Sequence, residues 1–330
     1  MPFRDIVGHR HLTALLARAI ERGTLPPTLL LAGPAGVGKW RVARALAEVV
    51  NCPPPVDGDA CGACRSCDRI NRGMHVDVLT LAADDTGKIG VDIVRDELGK
   101  CDYRPFEGQR RVVLIRDADA LTETAQNALL KSLEEPPPAT VFVLTSSAPD
   151  ALLRTVRSRT MRLTFGRLPI DDIVQVLGRD HAIADAEARR LAMLSDGSLG
   201  VALALGTSAS DDLREAAAML LGASGAADLA GRLAIAKAVI GEKKPERTRQ
   251  QMQALLQVAS SLVRDVAVLH AGVDRRLLAN GDLDGTLGRL ARTIEPAAAR
   301  RAFATIDRGL TALERNAGTK LVTEWICSEI

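Results

Sequence analysis

The sequence predicts an α/β domain built on a parallel sheet, followed by two purely helical regions. Three observations predict it. Up to Thr164, short apolar runs alternate with stretches whose apolar residues recur at helical spacing, the signature of strand–helix–strand units. Gly33-Pro-Ala-Gly-Val-Gly-Lys39 follows one apolar run and opens a helical stretch, which is the context a phosphate-binding loop requires. Beyond Phe165 the strand signals stop; Ala and Leu dominate, and aromatics are only 2% of the chain, a mix that favours packed helices.

Each element has its own signal. Residues 28–32 (TLLLA) read as a buried strand, and 39–50 as a helix with Val42, Ala43, Leu46, Val49 and Val50 on one face. Residues 75–81 read as a second strand, and 89–99 as a helix carrying Ile93, Val94 and Leu98. The run 112–115 is continuously apolar, as a central parallel strand should be. A helix over 121–133 stops at Pro136–Pro138, because proline has no N–H to continue it. Strands at 141–144 and 160–165 complete the sheet. Helical stretches follow at 168–177, with Pro169 expected in the first turn, and at 184–195 and 198–205. From Asp211 the pattern is almost purely helical, with breaks near 224–225, 241–245, 281–284 and Pro296.

These signals divide the 330 residues into domains at 1–167, 168–208 and 209–330, with a cysteine-rich insertion at 52–67. The 43 basic and 41 acidic residues nearly cancel, which argues against a strongly cationic nucleic-acid binder. Lys243, Lys244 and Pro245 read as an exposed basic loop, with DNA contact the less favoured alternative. Arg4, Asp5, His9, Arg10 and Arg18 break any secretion-signal pattern, and no uninterrupted apolar stretch is long enough to span a bilayer. A cytoplasmic protein is expected.

The glycines of the phosphate loop let backbone N–H groups converge on phosphate oxygens, and Lys39 adds a point charge at a helix N-terminus. Gly33, Gly36, Gly38 and Lys39 are therefore the candidate nucleotide-binding residues. Bound ATP or ADP is an open expectation, and the alternative is a plain glycine turn. The Ser or Thr that normally follows the Lys and ligates magnesium is replaced by Trp40, whose only polar group is an N–H donor. The position just past the third strand, where a magnesium-binding Asp belongs, is Arg116; Asp117 follows, and Asp119 reads as a helix-start or surface carboxylate. The Mg²⁺ site is expected to be degraded.

Four of the six cysteines cluster as Cys52-x8-Cys61-x2-Cys64-x2-Cys67. In a chain without a secretion signal this points to metal, and four thiolates close a tetrahedral zinc shell with no open position for water. A structural Zn²⁺ is expected, with four reduced thiols as the alternative. Cys101 and Cys327 read as small core residues, and His75 as structural.

Several stretches together resemble the clamp-loader branch of the AAA+ proteins, and within it the delta-prime type of subunit of bacterial DNA polymerase III. They are Asp5-Ile-Val-Gly-His9, the phosphate loop, the cysteine cluster, Asn127-Ala-Leu-Leu-Lys-Ser-Leu-Glu-Glu-Pro136, and Ser158-Arg159. The resemblance implies an AAA+ domain, a small helical lid and an all-α collar that holds a hetero-pentamer together. It implies partners of gamma or tau type that hydrolyse ATP, a delta subunit, a sliding clamp and primer-template DNA, in a nucleoid-associated replisome. It also implies that the chain is a stator with no polymerase activity, lending an arginine finger from a Ser-Arg-Cys motif to its neighbour's ATP site. Here the motif reads Ser158-Arg159-Thr160, so Arg159 is the candidate, with surface pairing to a carboxylate as the alternative. Arg154, Arg157 and Arg162 lie nearby as salt-bridge or DNA-facing candidates. Ser146 and Ser147 fall near the first sensor position. The Gly-Ser-x-Arg sensor of active relatives reads Gly197-Ser-Leu-Gly200, without its arginine. Two other readings stay open: an active gamma/tau-type ATPase using Asp117, and a zinc-module DNA-binding protein with a relic phosphate loop.

Overall fold

The computed structural model describes residues 2–53, 58–84, 87–102, 104–206, 210–223, 228–240, 249–273, 278–314 and 317–330. The basic loop at Lys243–Pro245 and the break at 224–225 lie outside the described residues. The chain forms two compact units, Met1–Leu168 and Pro169–Ile330.

The first unit is a five-stranded sheet of β1 (Thr28–Ala32), β2 (Val78–Leu81), β3 (Arg111–Ile115), β4 (Thr140–Ser146) and β5 (Met161–Thr164). The order is β2-β3-β4-β1-β5 and every pair is parallel, with Leu30 opposite Leu144 and Ile115 also opposite Leu144. The three inner strands are buried at every residue, and the edge strands β2 and β5 are not. That difference is written in the sequence. TLLLA, RVVLI and TVFVLTS are near-continuously apolar because helices cover both faces, whereas MRLT leaves three of four residues exposed.

Side chains alternate across the sheet and so feed two separate cores. Leu29, Leu31, Val141, Val143, Val112 and Leu114 join Leu16 of α1 (Arg10–Glu21) and Val42, Ala43 and Leu46 of α2 (Lys39–Asn51). Helix α3 (Arg65–Asn71) follows the cysteine cluster, and α4 runs Val91–Gly99. Helix α5 (Glu123–Glu134) starts where the Thr122 hydroxyl accepts the Ala125 N–H at 3.2 Å, and it stops two residues before Pro136. Leu30, Ala32, Phe142, Leu144, Val113 and Ile115 face the other way, with residues of α4 and α5. Helix α6 is the single turn Arg154–Arg157.

Four element starts differ from the sequence reading. The second strand begins at Val78, not His75, because residues 75–77 turn back: the Val78 N–H donates to the His75 carbonyl (3.0 Å) and the Asp77 N–H to His75 Nδ1 (3.2 Å). Ile89 and Leu121 are outside their helices and pair as a parallel bridge. Pro169 sits just before α7, as its cap residue, not in the first turn.

The second unit is helical: α7 (Ile170–His181), α8 (Asp185–Leu194), α9 (Leu199–Gly206), α10 (Ser210–Gly222), α11 (Leu229–Ile240), α12 (Arg249–His270), α13 (Asp284–Thr293), α14 (Pro296–Glu314) and α15 (Thr319–Glu329). Helix α12 packs against α9, α10, α13 and α14, and buries Leu255, Leu262 and Val266. Gln251–His270 is long and apolar enough to cross a membrane by length and composition, yet it is mostly buried inside this unit as its core helix.

Candidate nucleotide, arginine and metal sites

Strand β1 delivers the phosphate loop. Gly33 has φ +156°, and a Cβ there would lie 2.3 Å from the Phe165 carbonyl oxygen, so only glycine fits. Gly36 and Gly38 take φ +75° and +102°, left-handed values that free the loop to curl before α2. Lys39 is 6% exposed, and its ammonium donates to the carbonyls of Gly33 and Pro34, both at 2.7 Å. His9 braces the loop from outside. Its Nε2 lies 3.0 Å from the Val37 carbonyl, so that nitrogen carries the hydrogen, and its ring meets Phe165 edge-on at 4.7 Å. This role of His9 is not readable from its place in Asp5–His9, because it depends on a contact with a loop 28 residues further on.

The two altered metal positions meet. The Arg116 guanidinium lies over the Trp40 ring, 5.5 Å from its centroid, a cation–π pair. Its Nε is 3.6 Å from the Asp117 carboxylate. Asp117 itself is left-handed (φ 51°), with its N–H on the Thr145 hydroxyl at 3.0 Å. Asp119 accepts the Ser147 N–H at 3.1 Å, and the buried Ser146 hydroxyl has no hydrogen-bond partner among the described residues. Neither Trp40 nor Arg116 offers a lone pair, and a guanidinium repels a divalent cation. The magnesium expected of a hydrolytic phosphate loop does not fit these residues.

Arg159 is fastened at both ends. Its carbonyl accepts the Thr28 hydroxyl at 2.7 Å, which ties it to the foot of β1. Its guanidinium donates to Glu134 Oε2 (3.3 and 3.2 Å) and to the Thr155 carbonyl (3.1 Å), with the side chain 32% exposed. The surface carboxylate pairing left open by the sequence is therefore present, with the last residue of α5 as its partner. Gln126 fixes the approach: its amide donates to the Leu121 carbonyl (3.3 Å) and its Oε1 accepts the Leu153 N–H (2.7 Å), just before α6. Arg157 pairs with Asp150 at 2.6 Å, and Arg154 and Arg162 are exposed. In the second unit Gly200 lies in the first turn of α9, which Ser198 opens by accepting the Val201 N–H at 3.4 Å.

The four cysteine sulfurs lie within 4.8 Å of one another, and the Cys52 and Cys64 sulfurs are 4.0 Å apart. A tetrahedral zinc with bonds of about 2.3 Å has sulfur–sulfur edges of roughly 3.8 Å, so the cluster can hold such a metal. Backbone N–H groups already point at the sulfurs: Ala63 and Cys64 donate to Cys61 (3.4 and 3.2 Å), and Cys61 donates to Cys52 (3.2 Å). The Ala63 and Cys64 donors hold the Cys61 thiol down to about 6. Burial pushes the Cys52 thiol up to about 11 and the Cys67 thiol higher still. His75 is buried beside Glu107, 3.7 Å away, and stands outside this set. Asp59 joins the module to the start of the chain by accepting the Phe3 and Arg4 N–H groups at 2.9 and 3.0 Å.

Comparison with known proteins agrees with this geometry. Residues 8–169 match the family described as DNA polymerase III, delta subunit. Over 208 residues the chain is 34% identical to DNA polymerase III subunit tau of Escherichia coli, covering 62% of this chain and 32% of that one. Over 219 residues it is 34% identical to subunit tau of Bacillus subtilis, covering 66% and 37%. The chain thus spans about a third of the length of these relatives. A gamma-subunit-related protein of Thermotoga maritima aligns over 96% of this chain and 97% of its own, at 20% identity and a TM-score of 0.42, which adds nothing further. Phosphate loop, Asn127–Pro136 run and parallel sheet accompany these likenesses: residues 8–169, just under half of the chain, resemble the clamp-loader AAA+ subunits of DNA polymerase III.

Proposed function

We propose that this chain is a delta-prime-type clamp-loader subunit, a stator that lends Arg159 to a neighbouring ATPase and does not itself hydrolyse ATP. The observation that carries the reading is the contact between Trp40 and Arg116, at the two positions from which a working site would grip magnesium. A guanidinium can bridge γ-phosphate oxygens and stabilise the charge that develops during phosphoryl transfer. Arg159 is suited to this chemistry, because its carbonyl is pinned by Thr28 while its charged end is reachable and held by the exposed Glu134 carboxylate and the Thr155 carbonyl. Partners of gamma or tau type and a delta subunit would supply the fuel sites, and the helical second unit this chain's share of the collar. The complex would load a sliding clamp onto primed DNA at a cytoplasmic, nucleoid-associated replisome. Structural zinc on Cys52, Cys61, Cys64 and Cys67 would close the module at 52–67.

The test is reconstitution with ATPase subunits, clamp and primed DNA. Arg159→Ala should assemble normally while turnover at the adjoining site falls by about a thousandfold or more, the usual worth of such a finger. Lys39→Ala should leave the complex's turnover unchanged. Unaltered turnover with Arg159→Ala would remove the finger. Magnesium-dependent hydrolysis by the isolated chain, abolished by Lys39→Ala, would favour instead an active gamma/tau-type ATPase, the reading to which the names of the relatives point.

A further inference from the structure

The misfit between this site and magnesium has a positive side. The phosphate loop keeps what binds anions: three glycines, a helix N-terminus and a buried lysine. What has changed is the source of the second cation. In a working site, a hydroxyl after the lysine and a carboxylate after the third strand meet through a metal ion. In this chain the same two positions meet directly, as Trp40 under the guanidinium of Arg116. The indole face fixes the guanidinium plane beside the first turn of α2, and Asp117 holds its Nε edge at 3.6 Å. The Nη groups carry four more N–H donors in a fork that matches phosphate oxygens.

We infer that the loop of Gly33–Lys39 binds the polyphosphate of a nucleoside triphosphate without any divalent metal, with Arg116 as the resident cation in the metal's place. Lys39 exchanges its two carbonyl partners, Gly33 and Pro34, for phosphate oxygens on binding. Such a site holds its ligand without turning it over, since Trp40 and Arg116 offer no oxygen to a metal that would activate water. The buried Ser146 hydroxyl, without a partner among the described residues, lies on β4 next to the strand end from which the loop springs: the Gly33 N–H donates to the Ser146 carbonyl at 3.1 Å. Metal-free binding does not depend on the role of Arg159, and the isolated chain tests it.

The experiment titrates the full-length chain with ATP, in magnesium and in EDTA, and follows the fluorescence of Trp40. The chain has two tryptophans, so a Trp325→Phe background isolates the signal. Saturable binding of equal affinity in both buffers is expected. Arg116→Ala should weaken it roughly tenfold to a hundredfold, as for the loss of one hydrogen bond to a charged group, and Lys39→Ala should remove it. Arg116 is half exposed, so its removal leaves the fold intact, which a thermal melt verifies. The double variant Trp40→Ser, Arg116→Asp, followed by calorimetry because it lacks the reporter tryptophan, should bind ATP more tightly with magnesium than without. Binding that needs magnesium in the parent chain overturns the inference. So does the absence of saturable binding, or an Arg116→Ala variant of unchanged affinity.

Discussion

Asp77→Asn tests the packing that carries β3 to Arg116. The Asp77 carboxylate is fully buried and accepts four hydrogen bonds: from the N–H groups of Phe106 (2.8 Å), Glu107 (2.8 Å) and Gly108 (2.9 Å), and from Arg111 (3.0 Å). Arg111 opens β3 with its side chain 7% exposed. An asparagine keeps the shape but removes the charge, turns one acceptor into a donor facing N–H groups, and strands a buried guanidinium. Breaking a buried pair of this kind costs about 3–5 kcal/mol. Urea unfolding followed at Trp40, in the Trp325→Phe background, reads that loss in the unit concerned. The double variant Asp77→Asn, Arg111→Met should recover part of it, because no charge is then left uncompensated. A loss under about 1 kcal/mol, or a double variant no better than the single, would refute the account. The pH dependence adds a second check. Burial alone would raise this carboxyl's pKa; the three N–H donors and Arg111 outweigh it and hold the group below its ordinary 3.8. A folded-state value below the unfolded one stabilises fully above about pH 4 and fades as pH falls through the folded value. The gap between wild type and Asp77→Asn should therefore close in acid.

Two further outcomes are expected. With metal stripped by a chelator, Cys61 is a thiolate at neutral pH and Cys52 is not, their values being about 6 and about 11. Iodoacetamide should then label Cys61 first, ever more slowly below pH 6, whereas zinc should protect all four thiols; peptide mass mapping that finds Cys52 labelled as fast would count against the geometry of the cluster. Gly33→Ala should cost about 1–3 kcal/mol, because the new methyl would meet the Phe165 carbonyl, whose own N–H is bonded to Ala32 at 2.7 Å and cannot retreat. An unchanged melting temperature would mean that the loop and β5 are looser than described.

The fold was largely legible because its inner strands are buried on both faces, so apolar runs such as Val112–Ile115 carry the signal unaided. The phosphate loop was legible for a similar reason, since glycine and lysine are demanded by backbone geometry and charge at fixed spacing. The start of β2 was not. Residues 75–77 alternate as a strand would, but the side chains of His75 and Asp77 compete for backbone N–H groups, and pattern alone cannot weigh that competition. Trp40 and Arg116 each stood out as misfits in the sequence, but their contact joins residues 76 positions apart through the packing of α2 on the sheet. Glu134 went unassigned for a like reason. It belongs to a recognisable run, but only the folded chain brings it to Arg159.

Strand β1 ends at the phosphate loop and begins at Thr28, whose hydroxyl grips Arg159. Five residues of extended backbone, roughly 16 Å of stiff rod, therefore connect the two chemically distinctive corners of the first unit. Because the rod is clamped between β4 and β5, neither corner can drift without dragging the other. A nudge delivered at one end is felt at the far end as displacement rather than absorbed as slack. Arg159 and the loop behave as opposite tips of a single lever.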